Sequence, residues 1–175
     1  MSDTRILALD LATFLGFAVG TPEQGVTEFG SHQLPKTGED AGKFGYAYEC
    51  WLDSILSRIE PWMMFYEKPS LFKGTTPITV LKLNGLAFVT EIQAHKRKLD
   101  VREVNVQDIT THFCGKGSPR MGDARKRHTM KIARARGFEV KNDNEADAIA
   151  QCDYALSLIN PKHALAATSL PWGAQ

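Results

Sequence analysis

No run of apolar residues in this chain approaches the roughly 20 that a membrane-spanning helix needs. The polar start MSDTR also lacks the basic and apolar regions of a secretory leader, so neither membrane insertion nor secretion is expected. Cysteine is scarce: Cys50, Cys114 and Cys152 are odd in number, widely spaced and form no CxxC pair. That pattern argues against a disulfide framework or a zinc site and fits a reducing cytoplasm. Internal repeats and low-complexity tracts are missing as well, which removes solenoids and disordered arrays. Net charge is nearly absent too, at +1 from 21 Lys and Arg against 20 Asp and Glu. What remains is a chain of 175 residues, 43% hydrophobic and 23% charged, which suits one globular domain with a substantial core.

The near-neutral total hides an asymmetry. Residues 95–141 carry thirteen basic and five acidic side chains, a net of +8, while the rest of the chain carries eight and fifteen, a net of −7. A basic segment beside an acidic remainder is the footprint of a polyanion bound next to an acidic site. A solvated helical face would account for the same charges.

Hydrophobic spacing orders the elements. RILALDLA and FLGFAVG read as two strands of a hairpin, with Asp10 ending the first, and GVTEFGSHQL as a third strand at a sheet edge. Residues 40–60 place Phe44, Tyr48, Trp51, Leu52, Ile55 and Ile59 at helical intervals, and Pro61 ends that helix. PWMMFYE is then a short strand apolar at consecutive positions, as only a strand covered on both faces can be. After KPSLFKGTT, Pro77 opens a helix with a basic end, and DVREVNV alternates as a fifth strand. A short helix with a Gly-rich turn, a basic helix ended by Gly137 and a last helix stopped by Pro161 complete the order. A meander followed by strand–helix alternation predicts a mixed α/β sheet flanked by helices, with residues 161–175 as a tail.

Three acids occupy comparable positions. Asp10 ends the first strand, Glu67 ends the fourth, and Asp147 lies in the first turns of the last helix. Carboxyl ends of neighbouring strands share the edge where α/β sheets hold their sites. Oxygen donors in this number suit hard divalent cations such as Mg²⁺ or Mn²⁺, which in pairs assist phosphodiester hydrolysis. Each acid also has a plain alternative. Asp10 can shape the turn before TFLG, Glu67 can pair with Lys68, and Asp147 can complement the helix dipole. Asp143 and Asn144 are equally good helix caps.

LALDLATFLGFAVG, MMFYEKPSLF and NDNEADAIAQCDYAL together resemble the first, second and last acidic motifs of the RuvC family of Holliday-junction resolvases, and of their phage variants in particular. The resemblance spans residues 6–158. It implies a ribonuclease H-like mixed five-stranded sheet flanked by helices over residues 1–160. It further implies a homodimeric, Mg²⁺-dependent (Mn²⁺ possible) endonuclease that nicks two strands of a four-way DNA junction, in a bacterial or phage-infected cell. Asp10, Glu67 and Asp147 match the family's metal ligands. Where many relatives carry an acid or His three residues before the last Asp, this chain has Asn144. Asp143, at i−4 from Asp147, is the expected fourth ligand, and Asn144 through its carbonyl oxygen the alternative, whereas Glu145 should point elsewhere.

The basic segment then acquires a substrate. Lys116, Arg120, Arg125, Lys126 and Arg127 are candidate phosphate contacts, in a stretch that is no Walker A loop because the GxxxxGK[ST] spacing is missing. Lys126 falls where the family places a functional lysine; solvated surface is its other reading. Phe72, with Lys73 beside it, matches a family aromatic that stacks at the junction centre, or else it belongs to the core or a dimer contact. Residues 78–95, with Leu81, Leu86, Phe88, Val89 and Ile92 spread around a helix, are too apolar for an ordinary surface helix. They are either wholly buried or half of a dimer interface that a change such as Leu86→Glu should break, with Gly85 and Ala87 allowing close approach. Two other functions compete with junction resolution. One is a related nuclease acting on other branched DNA or on RNA, and the other a branched-DNA-binding protein whose metal site has lapsed at Asn144.

Overall fold

The computed structural model describes residues 4–67 and 75–161. In chain order these form β1 (Ile6–Asp10), β2 (Phe14–Thr21), β3 (Gly25–Gln33), α1 (Ala41–Ile59), β4 (Met63–Glu67), α2 (Pro77–Arg97), β5 (Asp100–Val104), α3 (Val106–Cys114), α4 (Gly122–Ala135) and α5 (Asp143–Ile159). The strands make one sheet in the order β3-β2-β1-β4-β5. β1 pairs antiparallel with β2 and parallel with β4, so it is central. β3 is an edge, as its mixed faces predicted. The expected mixed sheet with flanking helices is what the chain forms.

Strand alternation divides the core in two. Ile6 and Ala8 of β1 and Met63 and Phe65 of β4 pack with α3, α4 and α5. Leu7 and Leu9, with Met64 and Tyr66, pack with α1 and α2 on the other face. All eight are almost wholly buried, which explains why both strands are apolar at consecutive positions. The same period of two turns Asp10 and Glu67 toward the α5 side.

α5 lies against β1 and β2 at close range because small residues line the contact. A Cβ at Gly16 would come within 2.1 Å of the Asn144 carbonyl oxygen, and one at Gly20 within 3.0 Å of Cys152 Sγ. Ala146, Ala148, Ala150 and Ala155 are buried on the helix itself. Every residue from 145 to 153 is buried, so α5 runs as an inner helix between the sheet and the α3–α4 layer.

α2 departs from one of the two sequence expectations, that of a wholly buried helix. Leu86, Thr90, Gln93 and Ala94 are buried, with Thr90 hydrogen-bonded to Tyr48 of α1 at 2.7 Å, while Leu81 and Phe88 are 58% and 67% exposed. The helix is therefore not wholly buried. Leu86, expected to be an interface residue, belongs to the core, because it shares the α1-facing stripe with Thr90 and Gln93. A Cβ on Gly85 would meet nothing within 4 Å. Among the described residues no helix is long and apolar enough to cross a membrane.

Candidate active site

The register of β1 and β4 pairs Leu9 with Tyr66, and one further step brings Asp10 level with Glu67. Both side chains point to the α5 face, where Asp147 enters from the second turn of that helix. Asp10, Glu67, Asn144 and Asp147 line one cavity of about 380 Å³, with Arg125 and Lys126 of α4 on its wall. Three acids separated by 57 and 80 positions in sequence thus share one space. Asn144 lines it, whereas Asp143 is bound by Lys126 Nζ at 2.6 Å and is not on the cavity wall. Of the two candidate fourth ligands, Asn144 is the one that faces the other acids.

The electrostatics follow from burial. Glu67 is pushed up to about 7, first by loss of solvent and then by Asp147, against the pull of Arg125 and Lys126. Asp10 is raised well above the usual carboxylate range by burial, then by Asp147 and Glu67. Asp147 is raised by burial too, although Arg125 donates to both of its oxygens at 2.8 Å. Asp143 behaves oppositely: burial would raise it, but the Lys126 ammonium holds it below the usual range. Arg120, Arg125 and Lys126 line the same cavity as the Asp10, Glu67 and Asp147 carboxylates. The carboxylates are hard oxygen donors, with no Cys or His among the described residues lining the cavity, and fit a divalent cation. Among the described residues no three His, Cys, Asp or Glu side chains already stand together as a ligand group, and Asp147 is the one engaged by a guanidinium.

Of the candidate DNA contacts, Lys116, Arg120 and Arg127 are exposed, and Arg120 sits at the cavity rim. Arg125 and Lys126 instead turn inward to α5. Phe72 and Lys73 lie outside the described residues. The basic segment does not form one face: Lys96 and Arg97 pair with Glu49 and Asp53 of α1, on the opposite side of the sheet. Arg136 is used internally, bound to Asp153 at 3.1 Å and to the Phe113 carbonyl at 2.8 Å.

Sequence reasoning missed the anchor of α5. Glu145 does point away from the cavity, as expected, but it is 4% exposed and fixes the helix start. It accepts from Ser31 of β3 at 2.9 Å and from the Lys141 backbone N–H at 2.8 Å. Asn142, the N-cap, accepts from the Glu145 N–H and donates to Ser31. The only sequence signal was an acid in a helix otherwise too apolar to leave it exposed.

No family model matches the chain, and no curated protein matches it in sequence. Solved structures do. Thermus thermophilus RuvC in complex with a Holliday junction substrate superposes with a TM-score of 0.68 at 12% identity, covering 89% of this chain and 95% of that one. A second structure of Thermus thermophilus RuvC gives 0.66 at 14% identity over the same shares. The yeast mitochondrial Holliday junction resolvase gives 0.62 at 11% identity, covering 94% and 84%. The chain has the RuvC-type, ribonuclease H-like fold.

Proposed function

We propose that this chain is a divalent-metal-dependent endonuclease that cuts four-way DNA junctions, acting as a homodimer in the cytoplasm of a bacterial or phage-infected cell. The observation that carries the proposal is the meeting of Asp10, Glu67 and Asp147 in one cavity at the carboxyl edge of β1 and β4. Two of the neighbours with this fold are named for, or bound to, Holliday junctions, which supports branched DNA as the substrate class.

In this reading Asp10, Glu67 and Asp147 hold Mg²⁺ or Mn²⁺, with Asn144 or Asp143 as a further oxygen donor. The chemistry such an ion supplies is neutralisation of charge on phosphoryl oxygens and activation of water. The chain's own residues do the rest. Lys116, Arg120 and Arg127 grip backbone phosphates without reading bases. The first turn of α4, whose N-cap Met121 supplies no side-chain acceptor, presents backbone N–H groups beside the cavity at Gly122. Lys126 keeps Asp143 ionised and oriented. Phe72 and Lys73 complete the DNA contacts. Two symmetric nicks need two such sites, and the exposed Leu81 and Phe88 of α2 supply an apolar surface for pairing copies.

A labelled four-way junction incubated with Mg²⁺, Mn²⁺ or EDTA tests the proposal, with linear, flapped and RNA-containing duplexes alongside. Metal-dependent paired nicks at the junction are expected. Equal cutting of linear duplex would move the substrate class, and junction binding without nicking would favour a non-catalytic binder. Asn144 in place of an acid, and Arg125 seated on Asp147, are the observations that favour that second reading.

A further inference from the structure

Asp147 and Arg125 form the most enclosed ion pair of the cavity, with side chains 7% and 12% exposed. Both carboxylate oxygens are engaged, each by one guanidinium nitrogen at 2.8 Å. A carboxylate this buried is strongly destabilising without a partner. Without a metal ion, something positive has to stand here. Arginine suits the place because its planar fork matches both oxygens and its charge is permanent.

We infer that Arg125 is a built-in counter-ion at Asp147 which a divalent cation has to displace, so that cation entry and the Arg125–Asp147 pair exclude one another. This rests on the reading of the cavity as a metal site. A doubly charged ion on the same carboxylate would sit beside a guanidinium, and like charges that close together repel. Arg125 cannot resolve that conflict by losing its proton, because a guanidinium keeps its charge in proteins. It has to move.

α4 is built to let it move. The helix begins at Gly122 with φ of 65°, has no side-chain cap, and follows a loop with Gly115 and Gly117 at φ of 89° and 92°. Residues 121–124 are exposed. The far half is anchored instead, by buried Thr129 and Ala133 and by Arg136 on Asp153. The first turn can therefore shift, and Arg125 leave Asp147, without unseating the helix. The neighbouring Lys126–Asp143 pair is 44% and 31% exposed and so offers less resistance.

The experiment is a calorimetric Mn²⁺ titration of the full chain without DNA, with Mn²⁺ electron paramagnetic resonance as a second readout. Arg125→Gln should bind Mn²⁺ at least about tenfold more tightly than the unmodified chain, and its melting temperature should rise more steeply with Mn²⁺. Arg125→Lys, which keeps the charge but loses the fork, should fall between them. In an Asp147→Asn background the Arg125→Gln change should make no difference. Equal or weaker Mn²⁺ binding by folded Arg125→Gln would overturn the inference while leaving the metal site standing. Should that variant not fold, unchanged affinity in Arg125→Lys would overturn it equally. Absence of Mn²⁺ binding in every form, including the unmodified chain, would remove the metal site itself and the inference with it.

Discussion

The two faces of the sheet solve the same burial problem with different residues. On the α1–α2 face the core is mostly leucine, isoleucine and aromatic side chains, and the side-chain pair wholly buried there, Tyr48 with Thr90, is neutral. Its ion pairs, such as Lys96–Glu49, stand at the solvent edge. On the α5 face the side chains are smaller and carboxylates are buried: Asp147 on Arg125, Asp153 on Arg136 and His112, Glu145 on Ser31. Exposed ion pairs contribute little to stability, whereas a buried charge is tolerated only with a partner in good geometry. One face holds the fold together; the other accepts electrostatic cost to keep acids next to each other.

The largest effect should come from the acids that have no hydrogen-bonded partner among the described residues. Asp10→Asn is expected to lower junction cleavage by more than the roughly 10–100-fold that losing an outer partner of a metal ligand costs. It should also raise the melting temperature. Asp10 is raised in the folded state, so its ionised form opposes folding above the ordinary carboxylate pKa, and the neutral amide removes that penalty. Wild-type cleavage, or a lower melting temperature, would contradict the account.

Next comes a direct contrast of the faces by chemical denaturation. Asp153→Ala removes the carboxylate shared by Arg136 and His112 and should cost about 3–5 kcal/mol, while Tyr48→Phe on the other face should cost about 1 kcal/mol. Similar costs would mean that the two faces are not built differently. Gly16→Ala should cost about 1–3 kcal/mol, because its methyl group meets the Asn144 backbone at 2.1 Å. It should lower cleavage as well, by moving the start of α5, and unchanged cleavage would argue against that placement.

Two smaller effects concern the surface. Replacing Lys116, Arg120 and Arg127 together should reduce the salt slope of junction affinity by about three, one per lost phosphate contact, in binding measured across a salt series. Phe88→Glu should leave stability within about 0.5 kcal/mol of the parent while shifting sedimentation toward monomer. A loss of folding would mean that Phe88, like Leu86, serves the core.

Much of the fold was legible because it is written locally. Four consecutive apolar positions before Asp10 and before Glu67 specify strands covered on both faces, and α1 shows its buried stripe at helical spacing. Legibility failed where a residue's role depends on the rotation of a helix about its axis. α2 carries apolar residues all round, so nothing local distinguished the buried Leu86 from the exposed Phe88. In the basic segment, identical charges went to different ends: Arg120 and Arg127 to solvent, Arg125 to Asp147, Arg136 to Asp153, Arg97 to the far side of the sheet.

By itself, the sequence determined the order of the elements, the sheet class and the placement of Asp10 and Glu67 at strand ends, because these follow from hydrophobic period and punctuation. Tertiary structure alone decided which acids face one another. It brought Asn144 rather than Asp143 onto the cavity wall, and it seated Arg125 on Asp147. The physical reason is the close approach of α5 to β2. Gly16 and Gly20 let the helix sink against the sheet, and Glu145 and Asn142 tie its start to Ser31. That fixes the rotation of α5, and with it every side-chain partner along the helix, through contacts more than a hundred residues apart that no local periodicity encodes.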